Sequence, residues 1–159
     1  MLQKAGCSIS TLTTNKDTPL IIAAYNGYAK VIEVLVECGA DVHYKKAGSG
    51  ETALYYACLQ GRLAAVKALI AANARHSDAL LDNQETSLHC GAMGGHAQVV
   101  SELLKAGAAH DATKSDGASP LCELLSLQRE LCLLLTHPCM QILHVTVESW
   151  KPMTASCRQ

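Results

Sequence analysis

The chain has 159 residues, a length that suits one domain, and 13 Lys+Arg against 14 Asp+Glu leave it near neutral. No basic stripe marks a nucleic-acid or anionic-membrane footprint, and the longest wholly apolar runs are a few residues, far too short to span a bilayer. Charged residues make up 17% and hydrophobic ones 49%, with no Phe at all. That charged share is well under the roughly 25% of an average soluble protein, and the Ala- and Leu-rich remainder suits close-packed helices.

Along the chain one phrase returns at a nearly fixed interval. Thr18-Pro19-Leu20, Thr52-Ala53-Leu54, Thr86-Ser87-Leu88 and Ser119-Pro120-Leu121 start 34, 34 and 33 residues apart. Gly27, Gly61 and Gly95 keep the same beat, and so do Gly6, Gly39, Asn73 and Gly107. Three kinds of marker in one phase mean stacked supersecondary units, an architecture that binds more often than it catalyses.

The first complete unit explains the spacing. Thr18 is placed to cap a helix N-terminus, and Pro19 at the first helical position loses no hydrogen bond. Leu20, Ala23 and Ala24 give that helix an apolar face of small residues, so a neighbour can approach closely. Asn26-Gly27 breaks it, and a second helix is expected from about Ala29 to Glu37. Val31, Val34 and Leu35 recur at helical spacing and predict its buried stripe. Gly39 ends it as a left-handed residue. Asn73 in the same slot of the next unit supports a backbone requirement there, since Asn is the next best residue for that conformation. Polar, Gly-rich stretches at Lys45-Lys46-Ala47-Gly48-Ser49-Gly50 and from Asp111 to Gly117 predict hairpin-like turns between units. Neither helix of a pair can bury its stripe alone, so stability is a sum over neighbours.

This pattern resembles the ankyrin repeat, whose motif is roughly Gly-x-Thr-Pro-Leu-His-x-Ala-Ala-x-x-Gly-His, then a Val/Leu-rich helix, then Gly-Ala-Asp. It stands here as Asp17-Thr18-Pro19-Leu20-Ile21-Ile22-Ala23-Ala24-Tyr25-Asn26-Gly27, ending Gly39-Ala40-Asp41. The second copy runs from Gly50-Glu51-Thr52 to Asn73-Ala74, and the third from Glu85-Thr86-Ser87-Leu88-His89 to Gly107-Ala108. Only the third keeps the His of the motif. The resemblance covers about residues 1–127 and implies an all-α solenoid of stacked antiparallel helix pairs joined by hairpin-like loops. We expect an ankyrin repeat domain over residues 1–135, made of a partial repeat 1–16, repeats 17–49, 50–83 and 84–116, and a degenerate repeat 117–135. An irregular tail, 136–159, follows.

Both ends are ragged. Gly6 lies 12 residues before Thr18, as Gly107 lies 12 before Ser119, so the first residues read as the tail of another second helix in a cropped array. In the fourth unit Gln128 stands where Gly belongs, which predicts a helix running on through Leu135 until Pro138 stops it. Solenoids need polar terminal units, and this one is expected to expose apolar surface at one or both ends, and so to self-associate, pair with another chain or be marginally stable.

By resemblance, such arrays bind another protein along the concave face formed by hairpin tips and first helices. Transferring slots gives Asp17, Tyr25 and Asn26 in the first repeat, and Tyr44, Lys45, Ser49, Glu51, Leu59 and Gln60 around the second. Asn83, Glu85 and Met93 follow in the third, and Lys114 and Ser115 in the fourth. All five tyrosines lie between positions 25 and 56. Tyr brings large area, few rotors and a polar tip, which favours it at interfaces. Tyr25 and Tyr44 fall in outward slots, whereas Tyr28 and Tyr56 are expected to fill gaps between helices.

Chemistry is expected to be absent, with no catalytic residue, cofactor or metal. Gly48-Ser49-Gly50-Glu51-Thr52-Ala53 imitates a dinucleotide turn but lacks a preceding buried strand. His89 and Cys90 are helix neighbours about 100° apart and do not face each other. Cys132, His137, Cys139 and His144 are separated by four, one and four residues, unlike paired zinc ligands. The eight scattered cysteines, with no secretory signal before them, predict reduced thiols in an intracellular, cytoplasmic or nuclear setting. The expected function is protein–protein interaction. The alternatives are the substrate-targeting arm of a larger enzyme, such as a ubiquitin ligase or kinase, and a decayed array without selected function.

Overall fold

The computed structural model describes residues 11–78, 80, 82–120 and 122–124. Among the described residues six α-helices form three antiparallel pairs: α1 Pro19–Asn26 with α2 Ala29–Glu37, α3 Ala53–Leu59 with α4 Leu63–Ala71, and α5 Ser87–Met93 with α6 Ala97–Lys105; residues 120 and 122–124 are helical as well. First helices pack on first helices (α1 on α3, α3 on α5) and second on second (α2 on α4, α4 on α6). The chain is therefore an all-helical solenoid.

Each pair starts where a Thr stops the extended backbone. The Thr18 hydroxyl accepts the Ile21 N–H at 3.2 Å, and the Thr52 hydroxyl accepts the Tyr55 N–H at 3.1 Å. Each satisfies one orphan donor of a helix start, which stabilises by about 1 kcal/mol. In the third pair His89 shares the task. Its Nδ1 accepts the Thr86 N–H at 3.2 Å and lies 2.8 Å from the Thr86 hydroxyl. The second helices end on left-handed residues at one slot: Gly39 (φ 91°), Asn73 (φ 59°) and Gly107 (φ 89°).

One core runs along the stack. Leu20, Leu54 and Leu88 fill it from the first helices, and Ile32, Val66 and Val100 with Leu35, Leu69 and Leu103 from the second. Ala24, Cys58 and Ala92 hold one small-residue slot and are fully buried, so the helices come close. The stripe of α2 corrects the sequence expectation. Ile32 and Leu35 are buried, whereas Val31 and Val34 are exposed (46% and 43%). The helix carries two apolar flanks. One meets α1 and α4; the other points to the N-terminal side of the stack, where spacing alone gives no sign of what covers it.

The hairpins share one backbone turn. Lys46 N–H donates to Glu51 O, Leu80 N–H to Glu85 O, and Lys114 N–H to Ala118 O, at 2.8–2.9 Å. The turn needs a positive φ just before the acidic or small residue that precedes the Thr or Ser cap. Gly50 and Gly117 supply it without strain (φ 81° each), while Lys16 and Gln84 are held there at 63° and 59°. The partial repeat up to residue 10, the helix expected through Leu135 and the 136–159 tail lie outside the described residues.

Candidate partner-binding surface

The acidic residue before each Thr cap organises the hairpin side of the stack. Asp17, Glu51 and Glu85 occupy one slot in three repeats. Lys46, from the next hairpin, places its ammonium 2.9 Å from Asp17 and 3.7 Å from Glu51. It also donates to the Tyr56 hydroxyl at 3.3 Å and sits 5.7 Å from the Tyr56 ring centre. The Tyr56 hydroxyl in turn donates to Glu51 at 2.7 Å, as does Ser49 at 2.9 Å. The hydrogen bond to Asp17, then that to Tyr56, holds the Lys46 ammonium above the usual lysine range. Burial, followed by the bond to Glu51, pushes the Tyr56 phenol up.

Three rings form a line beside this network. Tyr25 meets Tyr56 edge to face at 6.1 Å, and Tyr56 meets Tyr55 likewise at 5.8 Å. Such contacts add about 0.5–1.5 kcal/mol per pair beyond burial. Tyr25, at the outer end, is 45% exposed. A cleft of about 230 Å³ opens there between Asp17, Ile22, Tyr25, Asn26 and Tyr56.

Farther along, Glu85 is buried. Its carboxylate accepts the Asn83 amide at 2.8 Å and the Cys90 thiol at 2.9 Å. Burial above all, and then Glu85, raises the Cys90 thiol well beyond its ordinary range. Lys45 bridges to Asp78 of the next hairpin at 2.9 Å, and Lys114 pairs with Glu123. The Ser115 N–H donates to Asn83 O at 2.9 Å, joining the third and fourth hairpins.

Of the residues expected on the surface, Tyr25, Asn26, Lys45, Met93 and Ser115 are exposed. Asp17, Tyr44, Ser49, Glu51, Leu59, Gln60, Asn83 and Lys114 are half-buried, most of them tied into the networks above. Glu85 is turned inward, because its carboxylate serves the Cys90 thiol and the Asn83 amide. Tyr44 packs partly against the core, and its hydroxyl donates to Lys16 O at 3.1 Å, so it braces a hairpin. Tyr28 departs from its expected gap-filling role. It is 59% exposed, because its slot faces the N-terminal side. Its counterparts Arg62 and His96 reach back to first-helix carbonyls of the preceding pair, Tyr25 O at 3.4 Å and Leu59 O at 3.3 Å. Tyr56 does pack against the core, as expected of a gap filler.

Sequence reasoning missed Lys46, Tyr55 and Cys90 as members of the networks beneath this surface. A signal existed for Lys46: it shares its turn position with Lys114, and each stands 29 residues after an acid of the Asp17/Glu85 slot. His89 and Cys90 point to different partners, His89 Nε2 donating to Ala118 O at 3.2 Å. The Cys, His set at 132–144 lies outside the described residues, among which no group of three potential metal ligands gathers. Cys38, Cys58 and Cys90 are reduced, but Cys122 is disulfide-bonded, against the expectation of free thiols throughout. Scattered spacing does not report which sulfurs approach in space. No helix among the described residues is long and apolar enough to cross a membrane.

Comparison with protein families agrees with this geometry. A model described as ankyrin repeats in three copies matches residues 1–79, and a single ankyrin repeat model matches residues 83–115. No curated protein matches the chain. The helix pairs, their Thr caps and left-handed ends, and these two matches together establish that the chain belongs to the ankyrin repeat family.

Proposed function

We propose that this ankyrin repeat chain is a protein-interaction module that grips a partner protein through its hairpin tips and first helices, with no catalysis of its own. Ankyrin repeats are in general protein-binding units, and the fold by itself names no target. The observation that carries the reading is the Tyr25–Tyr56–Tyr55 line. An exposed ring stands at the edge of a cleft, on a support whose hydrogen bonds are already made. A ring held this way loses little entropy when a partner covers it, which is the physical basis of an interface anchor.

In this reading Tyr25, Asn26, Lys45, Met93 and Ser115 make direct contact. Asp17, Tyr44, Ser49, Glu51, Leu59, Gln60, Asn83 and Lys114 shape the rim, and Glu85 acts from below by fixing Asn83. The near-neutral charge suits a partner protein better than nucleic acid or an anionic membrane. The test is affinity capture from cell extract with the parent chain and with a Tyr25→Ala/Met93→Ala variant. A specific protein retained by the parent and lost by the variant, with melting unchanged, supports the surface. Equal retention by both refutes it.

A further inference from the structure

Four asparagines occur in the chain, and only Asn26 is followed by glycine. That pair is chemically distinct. Asparagine is among the thermolabile residues, because the backbone nitrogen of the next residue can attack its side-chain carbon. Glycine has no Cβ to hinder the approach and turns freely in φ. Lys16, Ala74 and Gln84 follow the other three asparagines, and their side chains crowd the same attack.

The fold places the pair at a weak point. Asn26 is the last residue of α1, and Gly27 turns the chain at φ 82°. Asn26 Nδ2 donates to Ile22 O at 2.8 Å, and the Gly27 N–H donates to Ala24 O at 3.1 Å. These two bonds restrain the leaving group and the nucleophile, and both belong to the final turn of an eight-residue helix. A final turn opens far more often than a whole domain unfolds. Water reaches the site, since Asn26 is exposed and lines the cleft beside Asp17 and Tyr25. The slot stays open where a repeat does precede it: Gly94, two repeats on, is exposed, and Gln60 is half-buried.

We propose that Asn26 is a site of spontaneous hydrolytic modification, gated by the opening of the last turn of α1. Once that turn opens, the Gly27 nitrogen bonds to Asn26 Cγ. The Cγ–Nδ2 bond breaks, and ammonia leaves with the proton of the Gly27 nitrogen. Water then adds to either carbonyl of the five-membered imide and gives aspartate or isoaspartate. Either product loses the donor to Ile22 O and sets a second carboxylate in the cleft with Asp17. The reaction stands apart from the partner reading, since it needs only water. The test is peptide mapping by mass spectrometry of the full chain held at neutral pH, native and in urea. Trypsin releases Asp17–Lys30, in which Asn26 is the only amide side chain. In the native chain this peptide should gain the mass of an amide-to-carboxyl exchange and show the isoaspartate form, while Asn15, Asn73 and Asn83 stay amides. In urea the conversion should run about tenfold or more faster, because the turn is always open. Asn26→Gln, whose longer side chain cannot close the five-membered ring, should abolish the gain. A native chain that keeps Asn26 intact, equal conversion at all four asparagines, a gain that persists in the Gln variant, or a native rate as fast as that in urea would each overturn the proposal.

Discussion

His89 carries a load that no other helix-start residue among the described residues carries in the same way. It is fully buried, its Nδ1 accepts the Thr86 N–H, and its Nε2 donates to Ala118 O, 29 residues farther on. The same Ala118 carbonyl accepts the Lys114 N–H at 2.9 Å and so closes the fourth hairpin. His89→Ala removes both ends of this tie and leaves a cavity. Two lost hydrogen bonds at about 1 kcal/mol each, plus a cavity term of about 1–2 kcal/mol, give a loss of about 3–4 kcal/mol. That is a large part of the 5–15 kcal/mol typical of a domain. His89→Ile separates the two terms. Ile21 fills this slot in the first repeat and is 3% exposed there, so the isoleucine variant keeps volume and loses only the polar bridge, for about 2 kcal/mol. Urea denaturation of the three proteins measures both numbers. Hydrogen exchange at Lys114 N–H should speed up in both variants, because its acceptor has lost its second anchor. A His89→Ala loss under about 1 kcal/mol, or unchanged exchange at Lys114, would refute the bridge between hairpin and helix.

Other expectations are smaller but equally open to measurement. Gln84→Gly should stabilise by about 1 kcal/mol, because Gln84 sits at φ 59° in a slot that glycine fills at positions 50 and 117; a melting temperature that falls would contradict this. Tyr44→Ala should cost about 1–2 kcal/mol through lost packing and the lost bond to Lys16 O, while Tyr25→Ala should cost under about 1 kcal/mol. Thermal melts that rank the two the other way would disprove their assigned roles. Burial pushes the Cys58 thiol from an ordinary 9.0 up to about 12. The unfolded chain therefore ionises first, and Cys58 alone should lower stability by about 1.4 kcal/mol per unit as pH rises from 9 towards 12, in addition to the decline from the buried Cys90. Cys58→Ala, which copies Ala24 and Ala92 at the same slot, should make that alkaline decline shallower by the Cys58 share. Denaturation midpoints across pH 8–11 that stay parallel for the two proteins would show that the thiol is not the cause.

The helices, their starts and their ends were open to reading from residue order. Thr18, Pro19, Gly39 and Asn73 act within one turn of the backbone, by hydrogen bonds and torsional limits that need no distant neighbour. The second helix runs from Ala29 to Glu37, as its spacing predicts. The 34-residue beat then names the family, since identical local instructions at a constant interval leave stacking as the common solution. Which flank of α2 is covered was a different kind of question. Val31 and Val34 are as apolar as Ile32 and Leu35, and Tyr28 is as large as Tyr56. Their exposure depends on what stands across from them, and that is set by a neighbouring repeat. Glu85 and Asp17 share a slot by sequence, yet one is sealed over a thiol and the other faces a lysine from the next hairpin. Local order fixes where a helix begins. Burial and pairing arise from the facing surface, which only the assembled stack brings into place.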